Sequence, residues 1–130
     1  MKPYLIQQVT ASDLSVVQSA QAQELAQPIS ATVASYEKTM MEAVVQDSDG
    51  TGFAFNSNNE GGLVIAGKTG TAQNGLTSSN NPDAVFTSFA PADNPKIAVG
   101  VIIEGGGYGA AAAAPIAVAV IKAYLGLGNS

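Results

Sequence analysis

Apolar positions fall into short runs whose spacing changes along the chain, and the changes mark its elements. "PYLIQQV" (3–9) carries Tyr4, Ile6 and Val9 in loose alternation, which predicts a short strand. Ser12-Asp13 reads as a turn, Leu14 to Val17 as a return strand, and the polar run "QSAQAQELAQ" (18–27) as a solvated connector. Pro28-Ile29-Ser30 opens a helix that runs to about Gln46, with the Ser30 hydroxyl placed to cap it. At about 100° per residue, Val33, Tyr36, Met40, Met41, Ala43 and Val44 share one face of that helix. Ser35, Lys38, Thr39 and Glu42 share the opposite face, which is expected to meet solvent. "DSDGTGFAFNSNNEGG" (47–62) has the composition of a loop. Leu63 to Ala72 then predicts a strand, followed by a polar loop from Asn74 to Asp83. Two more strands are predicted over Val85 to Ala90 and Ile97 to Ile103, with a turn across Pro91-Ala92-Asp93-Asn94-Pro95. Glycines 105, 106, 107 and 109 form a joint before a last apolar helix, which ends near Leu125 with Gly126 just past it. Three strands in series between two helices predict an α+β fold with an antiparallel sheet.

Composition narrows what such a fold can do. At 130 residues, 46% of them hydrophobic, the chain suits one domain with a real core. Ten acidic residues face five lysines, giving a net charge of −5, and arginine and histidine are both absent. That balance argues against nucleic acid, because there is no basic patch to displace counterions from phosphates. With neither His nor Cys, a zinc site of the usual kinds is not expected, and nothing in the chain implies a metal or another cofactor. The lack of cysteine excludes a disulfide framework without fixing the compartment. "MKPYLIQQV" lacks the apolar core of a signal peptide. The longest apolar run, Ala110 to Ile121, falls short of the roughly 20 residues a bilayer span requires.

Candidate chemistry concentrates in "GLVIAGKTGTAQ" (62–73), which supports two incompatible readings. Gly62 to Thr69 satisfies the phosphate-loop pattern Gly-x-x-x-x-Gly-Lys-Thr, and "IAVGVIIE" (97–104) could mimic the acidic strand that accompanies it. A phosphate loop, however, is a flexible turn after a strand, and its Lys-Thr pair opens a helix. Here the intervening Leu63-Val64-Ile65-Ala66 is strand chemistry, and "NSNNEG" before it is not a strand. Gly70 and Gly75 interrupt the place where the helix should begin. As a strand, the same residues anchor in the core through Leu63 to Ala66 and turn polar at Lys68 to Thr71. Such an edge binds an extended peptide through main-chain hydrogen bonds, and Gly70 lets the ligand backbone come close. Lys68 offers positive charge, the Thr69 and Thr71 hydroxyls can bind a carboxylate, and the Thr71 N–H can help stabilise an oxyanion. Strict alternation sends Lys68 to one side and both threonines to the other, so one site needs a strand that borders a cleft and twists there.

"GKTGTAQ" (67–73) resembles the Lys-Thr-Gly strand of penicillin-binding proteins and serine β-lactamases. "KPYLIQQV" (2–9), "PISATVASYEKTMMEAVVQDSDGTG" (28–52), "AVFTSFAPADNPKIAVGVIIEG" (84–105) and "AAPIAVAVIKAYL" (113–125) resemble successive segments of a class B transpeptidase domain, of the actinobacterial penicillin-binding protein A type. "AVFTSFAP" departs from the family in carrying Val85 where an aromatic residue is usual. The resemblance implies the penicillin-binding fold and a serine acyltransferase that crosslinks peptidoglycan stem peptides and is acylated by β-lactams. It also implies a parent at the extracytoplasmic face of the bacterial membrane, with Lys68, Thr69, Gly70 and Thr71 binding substrate.

Such an enzyme also needs a Ser-x-x-Lys and a Ser-x-Asn. Ser35-Tyr36-Glu37-Lys38 matches the first by pattern, and Ser57-Asn58-Asn59 and Ser79-Asn80-Asn81 match the second. Helix geometry puts Ser35 on the wet face, whereas an acylating serine needs a buried helix start and a desolvated lysine. Lys38 and Glu42 read instead as an ordinary i,i+4 pair. The family also places both serine motifs well upstream of Lys-Thr-Gly, so the Ser-x-Asn matches read as loop composition. Residues 1–130 are therefore expected to form the C-terminal portion of a transpeptidase domain, with no nucleophile of their own and Met1 internal to a longer protein. The remaining N-terminal part of that domain is the expected partner, along with a stem peptide or β-lactam. Alone, the 97–103 strand is expected to expose an edge.

Overall fold

The computed structural model describes residues 2–73 and 81–128. The chain divides into two units, Met1–Ala34 and Ser35–Ser130.

In the first unit, strands β1 (Gln8–Thr10) and β2 (Val16–Ser19) pair antiparallel, with Gln8 opposite Ser19 and an irregularity after Val9. Both start later than the apolar pattern predicts. Leu14 cannot begin the return strand because it takes a left-handed conformation, φ 67°, within the turn. Ala11 and Ser15 close that turn, the Ala11 N–H donating to the Ser15 carbonyl. The Asp13 carboxylate accepts from the Ser15 hydroxyl at 2.6 Å and from its N–H at 3.0 Å, and these bonds hold its pKa below the ordinary carboxylate value. Ser30 caps the following helix as its sequence predicts, its hydroxyl accepting from the Val33 N–H.

That helix, α1 (Ala31–Gln46), ends in the second unit. Its polar face behaves as expected: Ser35 and Thr39 are exposed, and Lys38 pairs with Glu42 at 3.5 Å. Its apolar face is covered only toward the end. There Met41, Ala43 and Val44 are half-buried, while Val33, Tyr36 and Met40 stay exposed; fully buried Val45 lies outside that face, about 100° round the helix from Val44. The 47–62 segment is a run of turns around a short 3₁₀ turn, Phe53–Phe55, organised by buried Asn56. The Asn56 amide donates to the Phe53 carbonyl, and its oxygen accepts from the N–H groups of Asn58 and Asn59.

Strands β3 (Ala66–Ala72), β4 (Asp83–Ala90) and β5 (Ile97–Ile103) form an antiparallel sheet in that order. β3 begins three residues later than predicted, yet Leu63, Ile65 and Ala66 are buried, so the apolar run does anchor the strand. The β4–β5 turn is tied at its base by the Lys96 N–H to the Ala90 carbonyl and by the Ala92 N–H to the Val64 carbonyl. Helix α2 (Gly109–Tyr124) lies over one face of the sheet. Ala113, Ala114, Ala117, Val118 and Ile121 make a stripe at helical spacing, and they share one core with equally apolar sheet residues: Ala84, Phe86, Ala90, Ile97 and the inward residues of β5. Full burial of side chains such as Ile65, Phe86 and Ile121 is worth roughly 1.5–3 kcal/mol each. The helix stops as predicted at Gly126, φ 71°, where the Leu127 N–H reaches back to the Lys122 carbonyl.

Candidate functional site

Lys68, Thr69, Gly70 and Thr71 all lie within β3, at an edge of the sheet among the described residues. Their register with β4 is regular: Lys68 faces Thr87, Thr69 faces Phe86, Gly70 faces Val85 and Thr71 faces Ala84. Side chains opposite each other share a face, so Thr69 and Thr71 stand on the side of buried Phe86 and Ala84. Lys68 stands on the other side, with Thr87. The alternation that the sequence implies is therefore kept. The Lys68 ammonium bends round to its neighbour's backbone, donating to the Thr69 carbonyl at 2.6 Å. Thr69 meets a second hydroxyl across the site, with its Oγ1 2.7 Å from Thr51 Oγ1.

Two glycines hold this strand close to its neighbours. A Cβ on Gly67 would lie 2.6 Å from the tip of the Phe86 ring. One on Gly109, the first residue of α2, would lie 2.2 Å from the Val85 carbonyl oxygen and 2.6 Å from that of Gly70. The helix start thus rests directly on the strand backbone at the central glycine of the motif. Gln46, at the end of α1, fixes the root of β3: its amide donates to the Ile65 carbonyl at 3.1 Å, and its oxygen accepts from the Ser57 N–H.

The phosphate-loop geometry is absent here. Lys68 and Thr69 sit inside a paired strand rather than at the start of a helix. The Ser35 candidate is not brought to β3 by any bond described: Ser35 is exposed, its carbonyl accepts the Thr39 hydroxyl, and Lys38 is engaged by Glu42. Ser57 belongs to the loop that Asn56 and Gln46 organise. Ser79-Asn80-Asn81 lies outside the described residues in its first two positions. Sequence reasoning missed Thr51, Gln46 and Gly109. Gly50-Thr51-Gly52 carried a signal, two glycines around one hydroxyl, but read only as loop composition.

An edge strand carrying Lys-Thr-Gly, backed by a helix and followed in the sheet by two antiparallel strands, defines a class of domain. The chain belongs to the penicillin binding protein transpeptidase domain family, whose profile matches residues 1–122. It is 36% identical over 135 residues to the peptidoglycan D,D-transpeptidase PbpA of Mycolicibacterium smegmatis, a match covering 99% of this chain and 26% of that protein. Among solved structures it resembles the imipenem acyl-enzyme complex of penicillin-binding protein A from M. tuberculosis, with TM-score 0.73 and 35% identity, covering 95% of this chain and 26% of that one. The penicillin G acyl-enzyme complex of the same protein gives TM-score 0.71 and 34% identity, covering 95% and 27%. The chain thus spans about a quarter of the length of the relatives it matches.

Proposed function

We propose that this chain is the substrate- and β-lactam-binding part of a serine D,D-transpeptidase that crosslinks peptidoglycan stem peptides. The observation that carries this reading is the placement of Lys68-Thr69-Gly70-Thr71 along the outer edge of β3. An extended peptide adds to such an edge through main-chain hydrogen bonds, and a β-lactam presents a similar backbone and carboxylate. Lys68 supplies the positive charge, and the hydroxyls of Thr69 and Thr71 supply donors for the carboxylate. The Thr69 carbonyl already receives the Lys68 ammonium, which favours its pointing away from β4. Backbone groups two residues apart point the same way, so the Thr71 N–H is directed outward as well. There it can stabilise the oxyanion that forms when a serine attacks the scissile carbonyl.

That serine comes from the remaining N-terminal part of the same domain, and the chain forms its C-terminal portion. The assembled enzyme works at the extracytoplasmic face of the membrane. Among the described residues no helix is long and apolar enough to cross a bilayer. Labelling with a fluorescent penicillin tests the proposal. The complete enzyme is expected to carry the adduct on a serine outside these residues, and the isolated chain to carry none. Lys68→Ala should slow acylation by about 10²–10³, the scale of losing one preorganised electrostatic group. No adduct on the complete protein would instead favour a non-catalytic structural fragment of the fold.

A further inference from the structure

The contact between Thr51 and Thr69 joins two hydroxyls 2.7 Å apart, and among the described residues neither has another side-chain partner. A hydroxyl has one proton to donate and two lone pairs to accept with. One proton therefore lies between the two oxygens, and which threonine contributes it decides what the other can offer a ligand.

Thr51 is held in place by its neighbours. The Gly52 N–H donates to the Val44 carbonyl at 2.9 Å. A Cβ on Gly50 would lie 2.3 Å from that carbonyl oxygen and 2.7 Å from the Ala43 oxygen, and one on Gly52 would lie 3.2 Å from the Val44 oxygen. The flanking residues are thus pressed onto the last turn of α1, and Thr51 between them carries the side chain that reaches β3. Gln46 ties the same helix end to the root of that strand.

We propose that Thr51 is a positioning residue for the Lys-Thr-Gly strand, donating its proton to Thr69 Oγ1 so that the Thr69 O–H is left to donate to a ligand carboxylate. This rests on the reading of β3 as the ligand-binding strand. A carboxylate only accepts hydrogen bonds. If the Thr69 proton pointed at Thr51, Thr69 would present lone pairs to an anion and repel it. With Thr51 as donor, Thr69 keeps a full complement of bonds when the anion binds. No covalent bond is made or broken by Thr51.

The test uses the complete transpeptidase that contains this chain, with benzylpenicillin and its methyl ester, which lacks the free carboxylate, as probes. Thr51→Val is expected to slow acylation by benzylpenicillin about tenfold, the scale of one hydrogen bond. Thr51→Ser, which restores the hydroxyl, should stay within about twofold of wild type. With the ester, wild type and Thr51→Val should react alike. In a Thr69→Val background, Thr51→Val should add less than about twofold, because the partner through which it acts is gone. Equal slowing of acid and ester, additive losses, or a Thr51→Val enzyme as fast as wild type with benzylpenicillin would each overturn the proposal. A wild-type enzyme that benzylpenicillin does not acylate would overturn the underlying reading as well, an outcome distinct from those three.

Discussion

Gly109 and Gly100 show how differently one residue type serves at two positions. A Cβ on Gly109 would meet only backbone: the Val85 oxygen at 2.2 Å, the Gly70 oxygen at 2.6 Å and the Gly70 nitrogen at 3.1 Å. Nothing there can rotate aside, so Gly109→Ala must move α2 off β3. It is expected to lower stability in urea unfolding by about 1–3 kcal/mol and, under the proposed function, to slow acylation of the complete enzyme because the shift falls on the motif glycine. A Cβ on Gly100, in the middle of β5, meets nothing within 4 Å. Gly100→Ala should leave stability unchanged or raise it by about 0.4–1 kcal/mol through the unfolded chain. Equal unfolding midpoints for the two variants would contradict this account. The motif residues were legible in the sequence because Lys68-Thr69-Gly70 is a contiguous pattern on a recognisable strand. Thr51, Gln46 and Gly109 were not, because each matters through a partner far along the chain, as Thr69 lies 18 positions after Thr51.

At the scale of elements, the loop after α1 is fastened to α2 by one ion pair. Glu60 and Lys122 lie 2.6 Å apart, with side chains 10% and 22% exposed. At that depth the loss of one partner leaves a charge in poorly solvated surroundings. Lys122→Met is expected to cost about 2–4 kcal/mol, somewhat under the range for a fully buried pair. Adding Glu60→Gln should recover part of that loss, because the stranded carboxylate is then neutral. A double variant no more stable than Lys122→Met would count against this, with chemical denaturation as the measurement. The order and type of the elements in the second unit followed from apolar periodicity, and so did the antiparallel sheet. Element starts were less legible. β3 opens at Ala66 rather than Leu63 because Leu63 and Ile65 are buried without a strand partner, and Leu14 sits in a turn that its apolar side chain gives no sign of.

At the scale of the whole molecule, several large apolar side chains remain in solvent. Tyr36 is 67% exposed, Met40 58% and Ile102 71%. Under the proposed function these surfaces meet the N-terminal part of the domain. The isolated 130-residue chain is then expected to self-associate and to bind a hydrophobic dye. A monodisperse monomer with a sharp cooperative melt, seen by size-exclusion chromatography and calorimetry, would refute that expectation. The ties at the root of β3 also bear on the order in which the chain can assemble. Gln46 reaches Ile65 across 19 positions, Thr51 reaches Thr69 across 18, and β3 pairs with β4 across as few as 11, from Ala72 to Asp83. Loops of that length close at modest entropic cost, and contacts local in sequence form fast. On a ribosome, the end of α1, its loop and the sheet can dock in turn as they emerge, each on the element before it. Strand β3 is then in register before α2, synthesised after the sheet, arrives to seal it.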